Sequence, residues 1–169
     1  MNKKLAISFC AAALLAGCAN YRWTSSVPAE MRTVQVPVFI DKSNLTETGP
    51  VVTRQVLREF QREGTFKVLA DGAALEVQGT VLSATGTDMN ANYKNGRRTH
   101  GGTLRIVASV SVIDKRAGRV LVDNRQLAGE APFSSGQDAN TAKRDAAGRA
   151  ADDLARNIVD MVTTLNWRK

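Results

Sequence analysis

Alternating apolar and polar residues predict the first strand of the chain. Every second position between residues 32 and 40 is apolar: Val34, Val36, Val38 and Ile40. This is the period of a half-buried β-strand, whose side chains point to opposite faces in turn. Pro37 interrupts the run. Because proline has no N–H to donate, we expect this stretch to lie at a sheet edge or to contain a bulge.

A four-residue spacing of apolar positions predicts a helix over residues 50–63. The apolar positions on one face are Val52, Val56 and Phe60. Arginines occupy the other faces, as expected for an amphipathic helix. Pro50 suits a first helical turn, where an N–H has no intrahelical partner. Thr48 or Gly49 is expected to cap this helix, and Gly64 is expected to end it.

The Asn95-Gly96 pair predicts a β-hairpin of two long strands, since this dipeptide favours a two-residue turn. If these two residues form the loop, Lys94 faces Arg97, and the numbers of every facing pair sum to 191. Odd positions of the first strand then oppose even positions of the second. That register puts one apolar set on one face: Leu75, Val77, Val81, Leu104, Ile106, Ala108, Val110 and Val112.

A second turn is predicted at Arg116-Ala117-Gly118, where the glycine can take the left-handed position of a three-residue loop. This register places Val120 and Val122 opposite Asp114 and Val112. A third strand therefore continues the same apolar face, and the three strands are expected to form an antiparallel meander.

The apolar period becomes helical again over residues 138–166. The early turns of this second helix are rich in alanine, which allows close approach to a sheet. Its apolar stripe consists of Ala147, Ala151, Leu154, Ile158, Met161 and Leu165.

The predicted order is strand, helix, three strands and helix, with a short extended segment at residues 66–69. Each helix has one apolar stripe and the sheet has one apolar face, so both helices are expected on the same side. The sequence therefore predicts an α+β fold. It is a two-layer sandwich, a four-stranded mixed sheet with two helices packed on one face, in a single domain over residues 32–166.

The amino-terminal residues have the pattern of a signal peptide. Two lysines precede an apolar run at residues 5–15, which is too short to span a bilayer. The run ends in Leu15-Ala16-Gly17-Cys18, small residues followed by cysteine, which is the pattern that a lipoprotein-processing peptidase reads. We therefore predict a signal peptide over residues 1–17, lipid attachment at Cys18 and a lipidated tether over residues 18–31.

Charge and cysteine content agree with an exported, lipid-linked chain. The formal charge is +7, and removal of two lysines and no acids with residues 1–17 leaves about +5. This charge suits an anionic membrane surface or phosphate-bearing lipids, while export argues against nucleic acid as a partner. Cys10 lies in the removed segment, so the mature chain has no internal disulfide and must rely on a hydrophobic core.

The inventory of reactive side chains predicts a non-enzyme. The single histidine is His100, and the only mature thiol is expected to carry lipid. A metal cluster or a nucleophile with its base cannot be assembled convincingly from these residues. We therefore predict no catalytic residue, no metal site and no cofactor.

The hairpin tip carries the candidate binding residues. Lys94, Arg97 and Arg98 lie there beside Tyr93, and three cations can bind phosphate groups through charge-assisted hydrogen bonds. Solvated charges that keep an unpaired tip from aggregating are the other interpretation. The residues alone leave both open.

The sheet face away from the helices predicts a surface for another protein. Small hydroxyl groups are mixed there with apolar and charged residues: Glu76, Gln78, Thr80, Leu82, Arg105, Val107, Ser109, Ser111 and Ile113.

Four stretches resemble a known family. They are Tyr21-Arg22-Trp23 after the lipidation motif, Val-Pro-Ala-Glu-Met-Arg-Thr-Val-Gln-Val-Pro-Val-Phe at residues 27–39, Leu-Arg-Glu-Phe-Gln-Arg-Glu-Gly-Thr-Phe-Lys-Val at residues 57–68, and Leu-Glu-Val-Gln-Gly-Thr-Val at residues 75–81. With the order of strands and helices, they resemble the LptE family of lipopolysaccharide-assembly lipoproteins.

This resemblance implies an outer-membrane lipoprotein on the periplasmic side. Proteins of this family sit inside the LptD β-barrel as a plug, assist its assembly and help place lipopolysaccharide in the outer leaflet. The implied partners are an LptD-like barrel, lipopolysaccharide and the membrane that holds Cys18. Basic residues at loop and strand ends are credited with lipopolysaccharide contact. By location, the matching candidates are Lys94, Arg97, Arg98 and Arg105.

A regulatory lipoprotein of a peptidoglycan synthase is the alternative function. Such proteins also begin with a strand like Val36-Pro37-Val38-Phe39, but they usually carry a long disordered linker after the lipid. Here about a dozen residues separate Cys18 from the first strand, a reach of about 40 Å when fully extended. The short tether favours a function close to the membrane.

Overall fold

The computed structural model of this protein describes residues 27–45, 47–94, 97–135 and 139–167, with the backbone alone for residues 88–94, 97–100, 135, 139 and 140. Cys18, Tyr21 and Trp23 lie outside these ranges. The elements are a 3₁₀ helix (Ala29–Met31), β1 (Thr33–Gln35), β2 (Ile40–Asp41), α1 (Thr48–Glu63), β3 (Lys67–Val68), β4 (Leu75–Lys94), β5 (Arg97–Asp114), β6 (Arg119–Ser135) and α2 (Ala139–Thr163).

The strands form one mixed sheet in the order β3-β1-β4-β5-β6, and β2 lies beside β4 beyond the end of β1. β1 runs parallel to β3 and β4, β2 runs parallel to β4, and β4, β5 and β6 form the expected antiparallel meander. The two helices pack on each other and on the sheet. The predicted α+β sandwich is confirmed. The sheet has six strands rather than four, because the first predicted strand divides in two and residues 67–68 join the edge.

The first predicted strand divides at Pro37. Five positions separate Gln35 from Ile40, whereas only four separate their partners Glu76 and Thr80 on β4. The edge therefore carries one extra residue, which is a β-bulge. The expectation that proline would cause a bulge or lie at an edge is confirmed.

The extra residue exchanges the two faces of the strand beyond it, as a one-residue slip must. Val34 and Val36 are buried as predicted, but Val38 is 69% and Ile40 61% exposed. Phe39 takes the inward position instead and is 2% exposed. The inward orientation predicted for Val38 and Ile40 is therefore wrong.

Phe39 is held in the core by two neighbours. Its backbone N–H donates to the Thr53 hydroxyl of α1 at 2.9 Å. Its ring lies directly over Gly79 of β4, where any side chain would overlap it. The bulge thus connects the parallel edge of the sheet to α1.

The β4–β5 hairpin keeps the predicted register only near its tip, where Lys94 pairs with Arg97. The facing numbers sum to 191 from Asn92 to the tip, to 190 over residues 83–89, and to 189 before Leu82. Each step is a bulge that adds one residue to β4. The constant sum is therefore wrong. Because two slips restore the original parity at the base, the predicted apolar set is nevertheless buried on one face.

The β5–β6 turn is one residue longer than predicted. Asp114 pairs with Arg119, so residues 115–118 form the loop. The loop ends on Gly118, whose φ of +64° is the expected left-handed conformation. The buried Asp114 carboxylate accepts the backbone N–H groups of the second and third loop residues at 3.1 and 3.0 Å, which explains the wider turn.

The longer turn changes the register of one predicted pair. Val120 pairs with Ile113 rather than Asp114 and is 56% exposed, so it does not continue the apolar face. Val122 pairs with Val112, as predicted, and is partly buried.

Helix α1 has the predicted buried stripe and the predicted end, but a different start. The stripe is fully buried: Val52, Val56 and Phe60. Gly64 ends the helix at φ +80°. Thr48 and Gly49 are already helical, and the residue before them is Glu47 in a left-handed conformation. The cap comes from the sheet instead, because the Asp41 carboxylate accepts the Gly49 N–H at 3.0 Å.

Helix α2 touches the backbone of β6 at Gly129. A Cβ atom there would overlap the backbone nitrogen of Leu154 and the carbonyl oxygen of Ala150. The buried small residues of α2 permit this approach: Ala146, Ala147, Ala150, Ala151 and Ala155. The prediction of an alanine-rich helix close to the sheet is confirmed.

Side chains of α2 also close part of the outer edge of β6. Three hydrogen bonds do so: Asn157 Nδ2 donates to the Ala128 oxygen (2.8 Å), the Glu130 N–H donates to Asp153 Oδ2 (3.0 Å), and Arg149 donates to the Pro132 oxygen (2.8 Å). A helix side therefore pairs with strand groups that otherwise face solvent.

The packed unit begins ahead of β1. Val27 and Met31 are buried in the core, and the Arg32 guanidinium donates to the Val27 oxygen at 3.1 Å. Of the predicted tether over residues 18–31, residues 27–31 thus lie against the domain.

We predict that Gly129→Ala lowers the free energy of unfolding of the mature chain by about 2–3 kcal/mol, because the added methyl group meets backbone atoms that cannot rotate away. Gly148→Ala is the matched control. A Cβ there meets no atom within 4 Å, and alanine should stabilise this helical position by about 1 kcal/mol. Urea unfolding followed by circular dichroism measures both. Equal effects would contradict the backbone contact.

Candidate functional site

The backbone brings three of the four predicted lipopolysaccharide contacts together at the tip of the β4–β5 hairpin. Lys94 pairs with Arg97, and Tyr93 pairs with Arg98. Within the described residues, β6 pairs with β5 as far as the His100–Ser135 pair, and beyond it β4 and β5 pair with each other as a two-stranded ribbon. The side chains of these cations lie outside the described part of the chain.

Arg105 is not part of this tip. It lies seven residues from Arg98 along β5, a distance of about 23 Å in a strand. It faces Thr85 on β4 and Glu130 on β6, and its Nη1 donates to Glu130 Oε1 at 2.5 Å. Both side chains are exposed, so the ion pair contributes little to stability. Arg105 therefore belongs to the middle of the sheet face that the helices leave uncovered.

The base of this uncovered face has an ordered acidic side chain. Gln78 donates a hydrogen bond to Glu76 at 2.5 Å, and Lys115 lies 3.1 Å from the same carboxylate. The amide of Gln78 and then the Lys115 ammonium hold the pKa of Glu76 below its ordinary value. Glu76 is therefore ionised at neutral pH and neutralises the lysine beside it.

A groove of about 330 Å³ crosses the uncovered face. Its floor consists of uncharged side chains: Gln78, Thr80, Ser109 and Ser111. One wall is the bulge with Val38 and Ile40, and the other is Asn124. The Asn124 N–H donates to the Ser111 hydroxyl at 3.0 Å, and its φ is +45°.

Sequence reasoning found the floor of this groove but missed both walls. Pro37 indicated a bulge without showing which side chains it would expose. Asn124 gave no recognisable signal, because its conformation depends on the register shift between β5 and β6.

A second groove, of about 770 Å³, lies at the opposite end of the sheet from the tip. It is formed by the amino-terminal segment, the β5–β6 turn and the end of the chain: Pro28, Glu30, Met31, Asp114, Arg116, Ala117, Arg119, Val120, Leu121, Leu165, Asn166 and Trp167. The Trp167 indole N–H is buried there and has no hydrogen-bond partner within the described residues.

Neither a metal centre nor a membrane-spanning helix is found in the described ranges. No group of three or more His, Cys, Asp or Glu side chains there could hold a metal ion. No helix there has the length and apolarity that are needed to cross a bilayer.

A family model described as LptE, lipopolysaccharide-assembly, matches residues 31–162. The match begins at the last residue of the 3₁₀ helix and ends in the last turn of α2. The chain belongs to the LptE family. The predicted resemblance is confirmed, and membership supports a role in lipopolysaccharide assembly, in a family of non-enzymatic lipoproteins.

Three solved structures similar to this LptE-family chain show the same fold. A candidate lipoprotein of Caulobacter crescentus CB15 has a TM-score of 0.57 and 18% identity, covering 83% of this chain and 95% of its own. The hypothetical protein CT253 of Chlamydia trachomatis has a TM-score of 0.54 and 14% sequence identity, and the match covers 79% of this chain and 96% of that protein. Protein XCC0632 of Xanthomonas campestris has a TM-score of 0.51 and 15% sequence identity, and the match covers 80% of this chain and 88% of that protein. No curated protein sequence matches the chain.

The buried carboxylate of the second groove gives this LptE-family chain a pH-dependent turn. Hydrogen bonds from the backbone N–H groups of Ala117 and Arg116 and from the Arg119 guanidinium hold the pKa of Asp114 below its ordinary value, although burial acts to raise it. The stabilisation is therefore complete above the unfolded pKa of about 3.9 and is lost as pH falls through the lower folded pKa.

We predict that Asp114→Asn lowers the free energy of unfolding by about 1 kcal/mol at pH 7, because the neutral amide makes weaker hydrogen bonds to the turn. As the pH is lowered below about 4, the free energy of unfolding should also fall less for the variant than for the parent chain. Asp160→Asn is the control, since Asp160 is exposed on α2. Urea unfolding at several pH values measures this. Parallel pH profiles for all three chains would refute the assignment.

Proposed function

We propose that this LptE-family chain is an outer-membrane lipoprotein, held on the periplasmic side by lipid on Cys18. It assists assembly of an LptD-like β-barrel, occupies that barrel as a plug and helps deliver lipopolysaccharide to the outer leaflet. The observation that carries the proposal is the family match over residues 31–162, which spans every strand and nearly all of both helices.

The short distance between anchor and domain supports a partner in the same membrane. Val27 is already buried in the domain, and it lies nine positions after Cys18. A fully extended chain of that length reaches about 30 Å. A regulator of a peptidoglycan synthase must reach much farther across the periplasm, which makes this alternative less favourable.

The length of the meander supports a plug. β4 has 20 residues, which extend to about 65 Å in a strand. The hydrocarbon core of a bilayer is about 30 Å thick. A sheet of this length is tall enough to follow the whole inner wall of a membrane-crossing barrel.

The width of the domain supports a large barrel as the partner. Five neighbouring strand positions span about 20 Å, and the helix layer adds about 10 Å in depth. Barrels of eight strands are filled by their own side chains, whereas barrels of about 20 strands or more can hold a plug. The proposed partner is therefore a large barrel.

We predict that the full chain with a carboxy-terminal tag, extracted in mild detergent, co-purifies with a large β-barrel. Cys18→Ser, combined with replacement of residues 1–17 by the signal peptide of a secreted protein without lipid, should remove the lipid, seen as a loss of mass. It should also release the chain from the membrane fraction, since about 0.8 kcal/mol per buried methylene is lost. A tagged chain that runs as a free monomer would contradict the barrel partner, and an unchanged mass would contradict the lipid site.

Lipopolysaccharide contact is proposed for Lys94, Arg97, Arg98 and Arg105. Clustered guanidinium and ammonium groups bind phosphates through charge-assisted hydrogen bonds, which are stronger than neutral ones. The tip cations lie close together on the backbone, whereas Arg105 is already paired with Glu130.

We predict that replacing Lys94, Arg97 and Arg98 together by serine weakens lipopolysaccharide binding by about tenfold or more, the effect of losing one charge-assisted contact or more. The matched control replaces Arg54, Arg58 and Arg125 by serine. These arginines are exposed elsewhere on the domain, and their replacement removes the same charge. Binding of purified lipopolysaccharide to the tagged complex is the measurement. Equal lipopolysaccharide binding by both variants would contradict the proposed contact and favour the other interpretation, in which the tip cations are solvated charges that prevent aggregation.

A further inference from the structure

The outer edges of the sheet are protected from pairing with other strands in nearly all places. An unpaired strand edge attracts other strands, and proteins blunt it by shortness, charge, bulges or a covering helix. β3 at one edge is only two residues long. At the other edge, α2 side chains bind the groups of β6 between Ala128 and Pro132.

The rest of the β6 edge is blunted by charge and by a kink. Arg119, Asp123 and Arg125 are exposed along it. Between them, Asn124 has a positive φ, and the register with β5 shifts nearby. A second strand would meet charged side chains and an irregular backbone there.

β4 differs, because its neighbour ends halfway along it. β1 and β2 pair with β4 only as far as Val81, whose oxygen still accepts the Lys42 N–H at 2.9 Å. Ser43 then turns back on Asp41, donating from both its N–H and its hydroxyl, and the chain leaves for α1. From Ser83 onward, no hydrogen bond from the described residues reaches the outer side of β4.

Among the described residues, this open stretch has little of the usual protection. Residues 83–87 read Ser-Ala-Thr-Gly-Thr, without a charge or a proline. Their pairing with β5 is regular from Ser83 to Met89, between the two bulges of β4. Thr85 and Thr87 are exposed, while Ala84 is buried under the helix layer. Lys143 of α2 lies over Gly86. The stretch is therefore a straight edge without charged side chains of its own, supported from behind by the helix layer.

We propose that residues 83–87 of β4 are a pairing site for an edge strand of the barrel partner before that barrel closes. The inference rests on the proposed function and names the surface through which assembly is assisted. The incoming strand continues the position that β2 leaves at Asp41, and backbone N–H and C=O groups supply the affinity, as in β-strand addition.

The occupant follows from what an edge can bind. Residues 83–87 have no charged side chain of their own, and Lys143 contacts Gly86 from the helix layer. A strand that pairs with this edge must have an unpaired edge of its own. A closed barrel has no free edge, whereas an unfinished one has two. A barrel in the course of assembly therefore fits this site, and a finished barrel wall does not.

A photo-crosslinking residue tests the site in cells that express the full tagged chain. It replaces Thr85 in one variant and Gln126, exposed on the protected β6 edge, in the control. We expect the Thr85 variant to give about tenfold more adduct with the barrel than the Gln126 variant does. The reason is that the barrel strand pairs beside Thr85 and not at the protected β6 edge. The tag isolates the barrel from the same extract independently of the crosslink.

Added charge provides the second measurement. Thr85→Lys with Thr87→Lys should reduce the barrel complex about tenfold, because edge lysines oppose strand pairing and each unfavourable cross-strand pair is worth up to about 1 kcal/mol. Gln61→Lys with Gln126→Lys adds the same charge elsewhere. Thermal unfolding of both variants verifies that they remain folded.

The outcomes separate the two proposals. Co-purification of the barrel with equal adducts from both positions, or with no loss on adding lysine, overturns the pairing site and leaves the proposed function standing. An adduct between two copies of this chain also overturns it. Absence of any barrel from the extract overturns the proposed function and the pairing site together.

Discussion

The contact between α2 and the backbone of β6 at Gly129 determines most of this structure. Where a glycine faces Ala150, the helix lies directly on the sheet, and its apolar stripe meets the buried face of the meander. The same position of the helix places Asp153 and Asn157 at the outer edge of β6, where they form hydrogen bonds with the strand backbone. One close approach therefore builds the core and closes an edge, in a domain whose described residues include no cysteine.

The fold separates charged and uncharged regions along one long sheet. Cations gather at the hairpin tip, and the amino-terminal segment that leads to Cys18 joins the domain at the other end, beside the β5–β6 turn. Between them lie the uncharged groove and the open edge of β4. This separation suits the proposed contacts with lipid, membrane and protein, because each would use a different surface of the sheet.

Most elements were predictable because local patterns determine them. Both helices have four-residue apolar spacing strong enough to define their buried faces, and Gly64 and Gly118 take the left-handed conformations that their turns require. The pairing of Lys94 with Arg97 was predictable for the same reason, because the Asn-Gly dipeptide between them favours a two-residue turn. The prediction of strand register failed far from the turns. Each bulge adds one residue to a strand, and only packing on α1 and α2 decides where a bulge is tolerated.

By itself, the sequence determined the order of elements, the apolar faces, the lipidation motif and the resemblance to the LptE family, because these depend on residues close together in the chain. The tertiary structure alone decided which side of the strand Phe39 and Val38 occupy, since that depends on Thr53 and Gly79 in other elements. It also decided that Arg105 pairs with Glu130 rather than joining the tip. Distances across a sheet are set by strand pairing, and no local pattern encodes them.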